Sequence, residues 1–177
     1  MKVSIPTRIL TYKRNELISW IDGNREECKD SYCSKLPGSR GFGEYIAGRY
    51  YETLGYEWIH HNYNLFGGNK LGKYPKAESI FRKHFGDERY EKGRGFYPAF
   101  SPFIGIEEPD LLVYKPDSSE IFFAECKRQD TKDKLRNQQV KGLALLKLLY
   151  ECPVEVVEIV EEGSGQAGMG EPLIWKF

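Results

Sequence analysis

The chain has 177 residues, 40% hydrophobic and 14% aromatic, with 26 acidic and 26 basic side chains and no net charge. That is enough apolar material for one cored domain with an insertion, and no stretch approaches the roughly 20 apolar residues of a membrane-spanning helix. Residues 1–11 lack the apolar core of a secretory signal, and four cysteines without regular spacing read as reduced thiols, so the expectation is an intracellular protein and not a secreted disulfide scaffold.

Residues 1–37 give little beyond a helical spacing of Leu17, Ile18 and Ile21 within 12–22. Cys28 and Cys33 could join His60 and His61 around zinc, although their spacing follows no common zinc motif. From Gly43 to Leu54 the positions of Tyr45, Ile46, Tyr50 and Leu54 predict a helix stopped by Gly55, and Glu57–Asn62 reads as a strand. The segment near 62–105 reads as an insertion, with a short helix over Lys76–Phe85 ended by Gly86. Lys70, Lys73, Lys76, Arg82, Lys83, Arg89, Lys92 and Arg94 interleave there with Tyr74, Phe81, Phe85, Tyr90, Phe96 and Tyr97. Cations meet phosphates and rings stack on bases, so Arg82, Lys83 and Arg94 are candidate nucleic-acid contacts. The same pattern also describes an amphipathic insertion whose aromatics form its own small core.

Glu107-Glu108-Pro109-Asp110 precedes an apolar, β-prone run over Leu111–Lys115. Pro116-Asp117-Ser118-Ser119 is turn chemistry, and Glu120–Cys126 is β-prone again. Folding the chain at the middle of that turn sets Asp110 opposite Glu125, where Cβ atoms are about 4.5–5.5 Å apart. Alternation puts Lys127 on the same face as Glu125, and Leu111, Val113, Phe122, Ala124 and Cys126 on the other. A slip of one residue would bury the charges, so the register is well specified. Two carboxylates at that range repel, and without a cation one pKa must rise strongly. Two acids and one ammonium together are a place to hold a divalent cation and a water beside a phosphate. Beyond the hairpin, Thr131–Tyr150 reads as the longest helix, with Leu135, Val140, Leu143, Leu146 and Leu149 as its stripe. Val154–Val160 is a strong strand, and Leu173–Phe177 a last one. From Glu151 onward six glutamates stand against Lys176, which leaves the first 150 residues with five more basic than acidic side chains.

Pro109-Asp110, followed by Glu125-Cys126-Lys127 closing a hairpin, resembles the PD-(D/E)XK nuclease superfamily. Gly41-Phe42-Gly43-Glu44 opens the first helix, where family members commonly carry a metal-reaching glutamate. The stretch 130–143, with Leu135 and Gln139 and the adjacent Gln138, is similar to the VRR-NUC branch. That branch usually has Gly after the motif lysine and Trp three residues after the glutamine; this chain has Arg128 and Gly142. Archaeal-type Holliday junction resolvases are similar at residues 38–44 and 125–127, a second branch that stays open.

The resemblance implies a single α/β domain with a restriction-endonuclease-like αβββαβ core at about 38–160, a mixed sheet flanked by helices, an N-terminal extension over 1–37 and the insertion. It implies hydrolysis of DNA phosphodiester bonds with Mg²⁺ or Mn²⁺, directed at branched, flap or junction DNA, by a homodimer like its junction-cutting relatives. Asp110, Glu125 and the Cys126 carbonyl would hold the ion, with Glu44 through water or at a second ion. Lys127 would orient the attacking water and stabilise developing charge, and Gln139 would bond substrate or a metal-bound water. Arg128, Lys132, Lys134, Arg136 and Gln138 would meet the phosphates, or else form a solvated face with Asp130 and Asp133. Two other readings compete: a non-catalytic module of the same shape that binds DNA or protein, and a restriction-type enzyme whose insertion reads bases in the major groove. RNA as substrate is also open.

Overall fold

In the computed structural model the chain is described at residues 2–95, 98–99 and 105–176. Phe96 and Tyr97 of the basic–aromatic segment lie outside these residues. The described elements run, in chain order, β1 (Lys2–Ile5), β2 (Thr7–Tyr12), α1 (Arg14–Ile21), a 3₁₀ turn (Cys33–Lys35), α2 (Phe42–Thr53) and β3 (Glu57–His60). They continue with α3 (Pro75–Phe85), α4 (Asp87–Gly93), β4 (Leu111–Tyr114), β5 (Ile121–Arg128), α5 (Asn137–Leu149), β6 (Val154–Glu161), β7 (Gly168–Met169) and β8 (Leu173–Lys176).

Six strands form one mixed sheet in the order β3-β4-β5-β6-β2-β7, and β1 pairs with β8 as a separate ribbon. β3, β4 and β5 are antiparallel neighbours, while β5, β6 and β2 run parallel. A parallel pair needs a long crossover, and α5 makes it between β5 and β6. Helices cover both faces. On one, Leu17, Trp20, Phe42, Ile46 and Tyr51 of α1 and α2 meet Leu111, Val113, Ala124, Cys126, Val157 and Ile159. On the other, Ile80, Phe81, Tyr90, Val140, Leu143 and Leu146 of α3, α4 and α5 meet Leu112, Tyr114, Phe123 and Val156. The hairpin is therefore buried on both faces along its length. No helix among the described residues is long and apolar enough to cross a membrane.

The turn of that hairpin does what its residues dictate. Asp117 Oδ1 accepts from the Ser119 amide at 2.9 Å and from its hydroxyl at 2.6 Å, an Asx turn, and Ser118 takes the left-handed conformation at φ 60°. The ladder that results pairs Leu111 with Ala124 and Tyr114 with Ile121.

Two expectations need correction. The helix expected from Thr131 begins at Asn137. Lys132 sits at φ 56° and its amide donates to the Gln129 carbonyl, which closes a tight turn after β5 in place of a first helical turn. Leu135 consequently packs half-buried outside the helix, and Leu149 at its far end is exposed. Residues 1–37 also hold more than the one helix read from them. Pro6 divides two β-prone runs, and β2 enters the main sheet beside β6.

Gly48 of α2 faces the indole of Trp58 on β3, and a Cβ there would stand 2.2 Å from the ring. Gly→Ala inside a helix ordinarily gains about 1 kcal/mol, whereas overpacking a filled core costs about 1–3 kcal/mol. Gly48→Ala is therefore expected to lower stability, by up to about 2 kcal/mol net, in urea unfolding; a stabilised variant would mean that the helix–strand contact is looser than this.

Candidate active site

The ladders set the site by counting. β4 pairs with β5 at Leu111–Ala124 and with β3 at Leu111–His60. One residue further, His61, Asp110 and Glu125 fall in one row across three strands, and the His61 amide donates to the Asp110 carbonyl at 3.1 Å. The expected facing of Asp110 and Glu125 is thus present at the end of the ribbon. Asp110 is held in place by the Cys126 amide, which donates to its Oδ2 at 2.9 Å.

Glu125 is fully buried, and its Oε1 pairs with Lys127 Nζ at 2.8 Å. Its Oε2 meets no hydrogen-bond partner among the described residues. Burial first, and then the Asp110 charge, push the Glu125 carboxyl well above the usual carboxylate range. Lys127 reaches on to Asp133 Oδ2 at 3.2 Å. Burial works against its ammonium, but Glu125, Asp110 and Asp133 outweigh that, and its pKa is raised. Lys127 stays charged.

Glu44 arrives from α2, with its side chain 19% exposed. Burial and the Asp110 charge push its carboxyl up to about 7. Gly41 at φ 78° starts the helix, and a Cβ at that position would press on the Cys33 carbonyl at 3.0 Å. His60, at the end of β3, is 1% exposed with Nε2 3.6 Å from Glu44 Oε1. Burial and the neighbouring His61 push its pKa down to about 3, so the ring is neutral. His61 Nε2 lies 3.5 Å from Asp110 Oδ1. The sequence had offered no catalytic arrangement for these histidines. The one signal that could have found them is the β3 register, which brings His61 to Asp110.

The remaining predicted residues divide. Arg128 is turned inward, not out to phosphates: Nη1 donates to the Ser39 carbonyl at 2.8 Å, Nε to Asp130 at 3.0 Å, and the guanidinium lies over Phe42. It fits only because position 43 is Gly, where a Cβ would come 3.0 Å from Arg128 Cγ. It therefore holds the start of α2, and with it Glu44. Gln139 is buried and its Oε1 accepts from the Arg136 amide at 2.9 Å, a helix-starting bond in place of the expected substrate contact. Arg136 pairs with Glu107 at 2.7 Å, and the Gln138 carbonyl accepts from the Glu107 amide, so both tie α5 to the segment ahead of Asp110. Gly142 lets that segment cross α5, since a Cβ there would stand 1.8 Å from the Glu107 carbonyl. Lys132 and Lys134 are exposed on either side of Asp133.

The insertion's cations are placed elsewhere. Arg82 pairs with Asp87 and Glu91. Its neighbour His84 touches the Ser118 carbonyl, so Arg82 and Lys83 stand at the turn end of the hairpin, away from the acids. Arg94 bonds the Asn69 carbonyl. Phe81 and Tyr90 are buried and Phe85 packs half-buried against that cluster, so these three form a core and not a stacking surface. Cys28 and Cys33 do not converge with the histidines: among the described residues the group with metal-ligand spacing is His60, His61 and Asp110. For a hard cation, the fit lies in the facing carboxylates of Asp110 and Glu125, which offer oxygens and a repulsion that a divalent charge relieves.

Glu108, next to this row, accepts from the Leu65 and Phe66 amides and is pushed up to about 7 by burial. The folded chain holds that proton more tightly than the unfolded one. The contribution is therefore full below the ordinary carboxylate value of about 4.5 and is lost as pH rises through about 7. Glu108→Gln is expected to flatten the fall in stability across that window by an amount on the order of 3 kcal/mol, read from denaturant midpoints at pH 4.5 and 7.5; identical pH profiles for the two proteins would exclude it. Compared with known proteins, the chain matches no family model, no curated protein and no solved structure.

Proposed function

We propose that the protein is a metal-dependent nuclease that hydrolyses DNA phosphodiester bonds, organised like the PD-(D/E)XK enzymes its sequence resembles. The observation that carries this reading is the buried, in-register facing of Asp110 and Glu125, with the Lys127 ammonium 2.8 Å from Glu125. The order of α2, β3, β4, β5, α5 and β6 around that pair supports it, being the helix and strand order of such a core.

Asp110, Glu125 and the Cys126 carbonyl would hold a divalent ion such as Mg²⁺ or Mn²⁺, which would lower the pKa of water and polarise a phosphoryl oxygen. The chain's own residues do the rest. The Cys126 amide fixes Asp110 Oδ2 and leaves Oδ1 turned toward His61. Glu44 faces the same space from the opposite layer. Lys127 is gripped between Glu125 and Asp133 and keeps its proton, so it acts by stabilising negative charge on the phosphate and not as a general base.

For the phosphate backbone, Lys132 and Lys134 lie just past Lys127 on an exposed loop. A cleft of about 450 Å³ carries Lys29, Lys73 and Lys76 beside Trp58 and Tyr74. Asp30 on its wall binds the His60 amide at 3.0 Å, which joins the cleft to the site. Cations beside aromatic faces suit a nucleic-acid strand. Of these cleft residues Lys73, Tyr74 and Lys76 come from the insertion.

A cleavage panel of duplex, single-stranded, flap and four-way-junction DNA tests the reading. Cutting is expected with Mg²⁺ or Mn²⁺ and none under chelation. Asp110→Asn and Glu125→Gln should fall to background with unchanged circular dichroism, and Lys127→Met should lose about 10²–10³-fold in rate. Chelator-resistant cutting would refute the assigned roles, and salt-sensitive binding without cleavage of any substrate would identify a binding module instead.

A further inference from the structure

His60 and His61 are neighbours in sequence, and on a regular strand they would point to opposite faces. They do not. His61 takes φ 55°, the left-handed region, which turns its ring back alongside that of His60, with centroids 4.3 Å apart and planes 35° apart. A non-glycine residue so held is strained by about 1–3 kcal/mol and persists only where its surroundings impose it. The imposing contact is the His61 amide on the Asp110 carbonyl at 3.1 Å.

The consequence is a converging donor set. One atom each from His60, His61 and Asp110 lie within 4.8 Å of one another. His61 Nε2 to Asp110 Oδ1 is 3.5 Å, and His60 Nε2 to Glu44 Oε1 is 3.6 Å. Ligands about 2.1 Å from a tetrahedral zinc ion are about 3.4 Å apart, so these spacings are close to ligand–ligand edges. Neither ring nitrogen of His60 has a hydrogen-bond partner among the described residues, although the residue is 1% exposed. A buried polar group left unmet costs about 1–3 kcal/mol, and here two belong to one ring whose Nε2 lies toward Glu44. The ring of Tyr32 stands edge-on to both imidazoles, at 5.4 and 6.1 Å, and Asp30 fixes the His60 backbone.

We infer that His60, His61 and Asp110, with Glu44 at the rim, form a second metal seat, for a divalent transition ion of the zinc type. Imidazole suits zinc, copper, iron and nickel, whereas Mg²⁺ takes oxygen ligands. The seat adjoins the all-oxygen one between Asp110 and Glu125 and shares Asp110 with it. It rests on the nuclease reading only through that shared carboxylate.

Co²⁺, a spectroscopically visible stand-in for zinc, tests the seat with no DNA present. Titration of the metal-free protein is expected to give the visible ligand-field bands of low-coordinate cobalt, removed by Zn²⁺ and not by excess Mg²⁺. His61→Ala should weaken Co²⁺ binding by more than the roughly 10–100-fold that loss of an outer-shell partner costs, and His60→Gln should do the same with circular dichroism unchanged. Glu125→Gln should keep the cobalt bands while losing cleavage. Absence of bands, displacement by Mg²⁺, or full affinity in His61→Ala would overturn the proposal. Loss of the bands in Glu125→Gln would assign the ion to the acid pair, ending the histidine seat and leaving the nuclease reading intact. Bands that depend on the histidines in a protein that cuts no DNA would do the reverse.

Discussion

Two carboxylates forced to face each other inside a protein set the terms for everything around them. Asp110 and Glu125 cannot move apart, because the ladder that positions them is buried on both faces and any slip would break two cores at once. Nor can they be comfortable together, and Glu125 answers by holding its proton far more tightly than an ordinary carboxylate. The neighbouring groups read as responses to that local charge. Lys127 is retained as a cation, and Glu44, buried and within reach of the Asp110 charge, is shifted to about 7.

The scaffold around this point is stiff for identifiable reasons. Arg128 spans from the end of β5 to the Ser39 carbonyl, so the strand that carries Glu125 and Lys127 also anchors the helix that carries Glu44. On the other side Arg136, Gln138 and Gly142 clamp the segment ahead of Asp110 against α5. The acids thus arrive on different elements but are positioned against a common frame, which is the condition for holding a reactive geometry within a fraction of an ångström.

Much of this was legible in the chain. The turn at 116–119 and the period-two alternation on either side were enough to state which residues face each other, because strand register is arithmetic once the turn is located. Phe42–Thr53 and Val154–Glu161 carried the same kind of periodic signal. The failures have a different origin. Lys132 breaks the expected helix because a non-glycine residue adopts a left-handed turn there, which no propensity announces. Arg128 and Arg136 were open between phosphate contacts and a charged face, and Gln139 was given to substrate by resemblance; the fold ties Arg128 to the Ser39 carbonyl and Asp130, Arg136 to Glu107, and Gln139 to a helix start. The histidines were grouped with Cys28 and Cys33 and not with Asp110, because their convergence on that carboxylate depends on the β3 pairing and on one unusual φ at His61. Both are tertiary facts.

The parallel pairing of β2 with β6 constrains how the molecule is made. Thr7 lies beside Val156 and Tyr12 beside Glu161, so β2 has to wait, unpaired, until the chain has been made through β3, β4 and β5 to β6. Until then the inner edge of β6's future place stays open, and β5 has nothing on its far side. Contacts of such separation slow folding and leave strand edges exposed meanwhile. A vectorially emerging chain can assemble its antiparallel β3-β4-β5 strands early, but the middle of the sheet closes only once β6 has emerged.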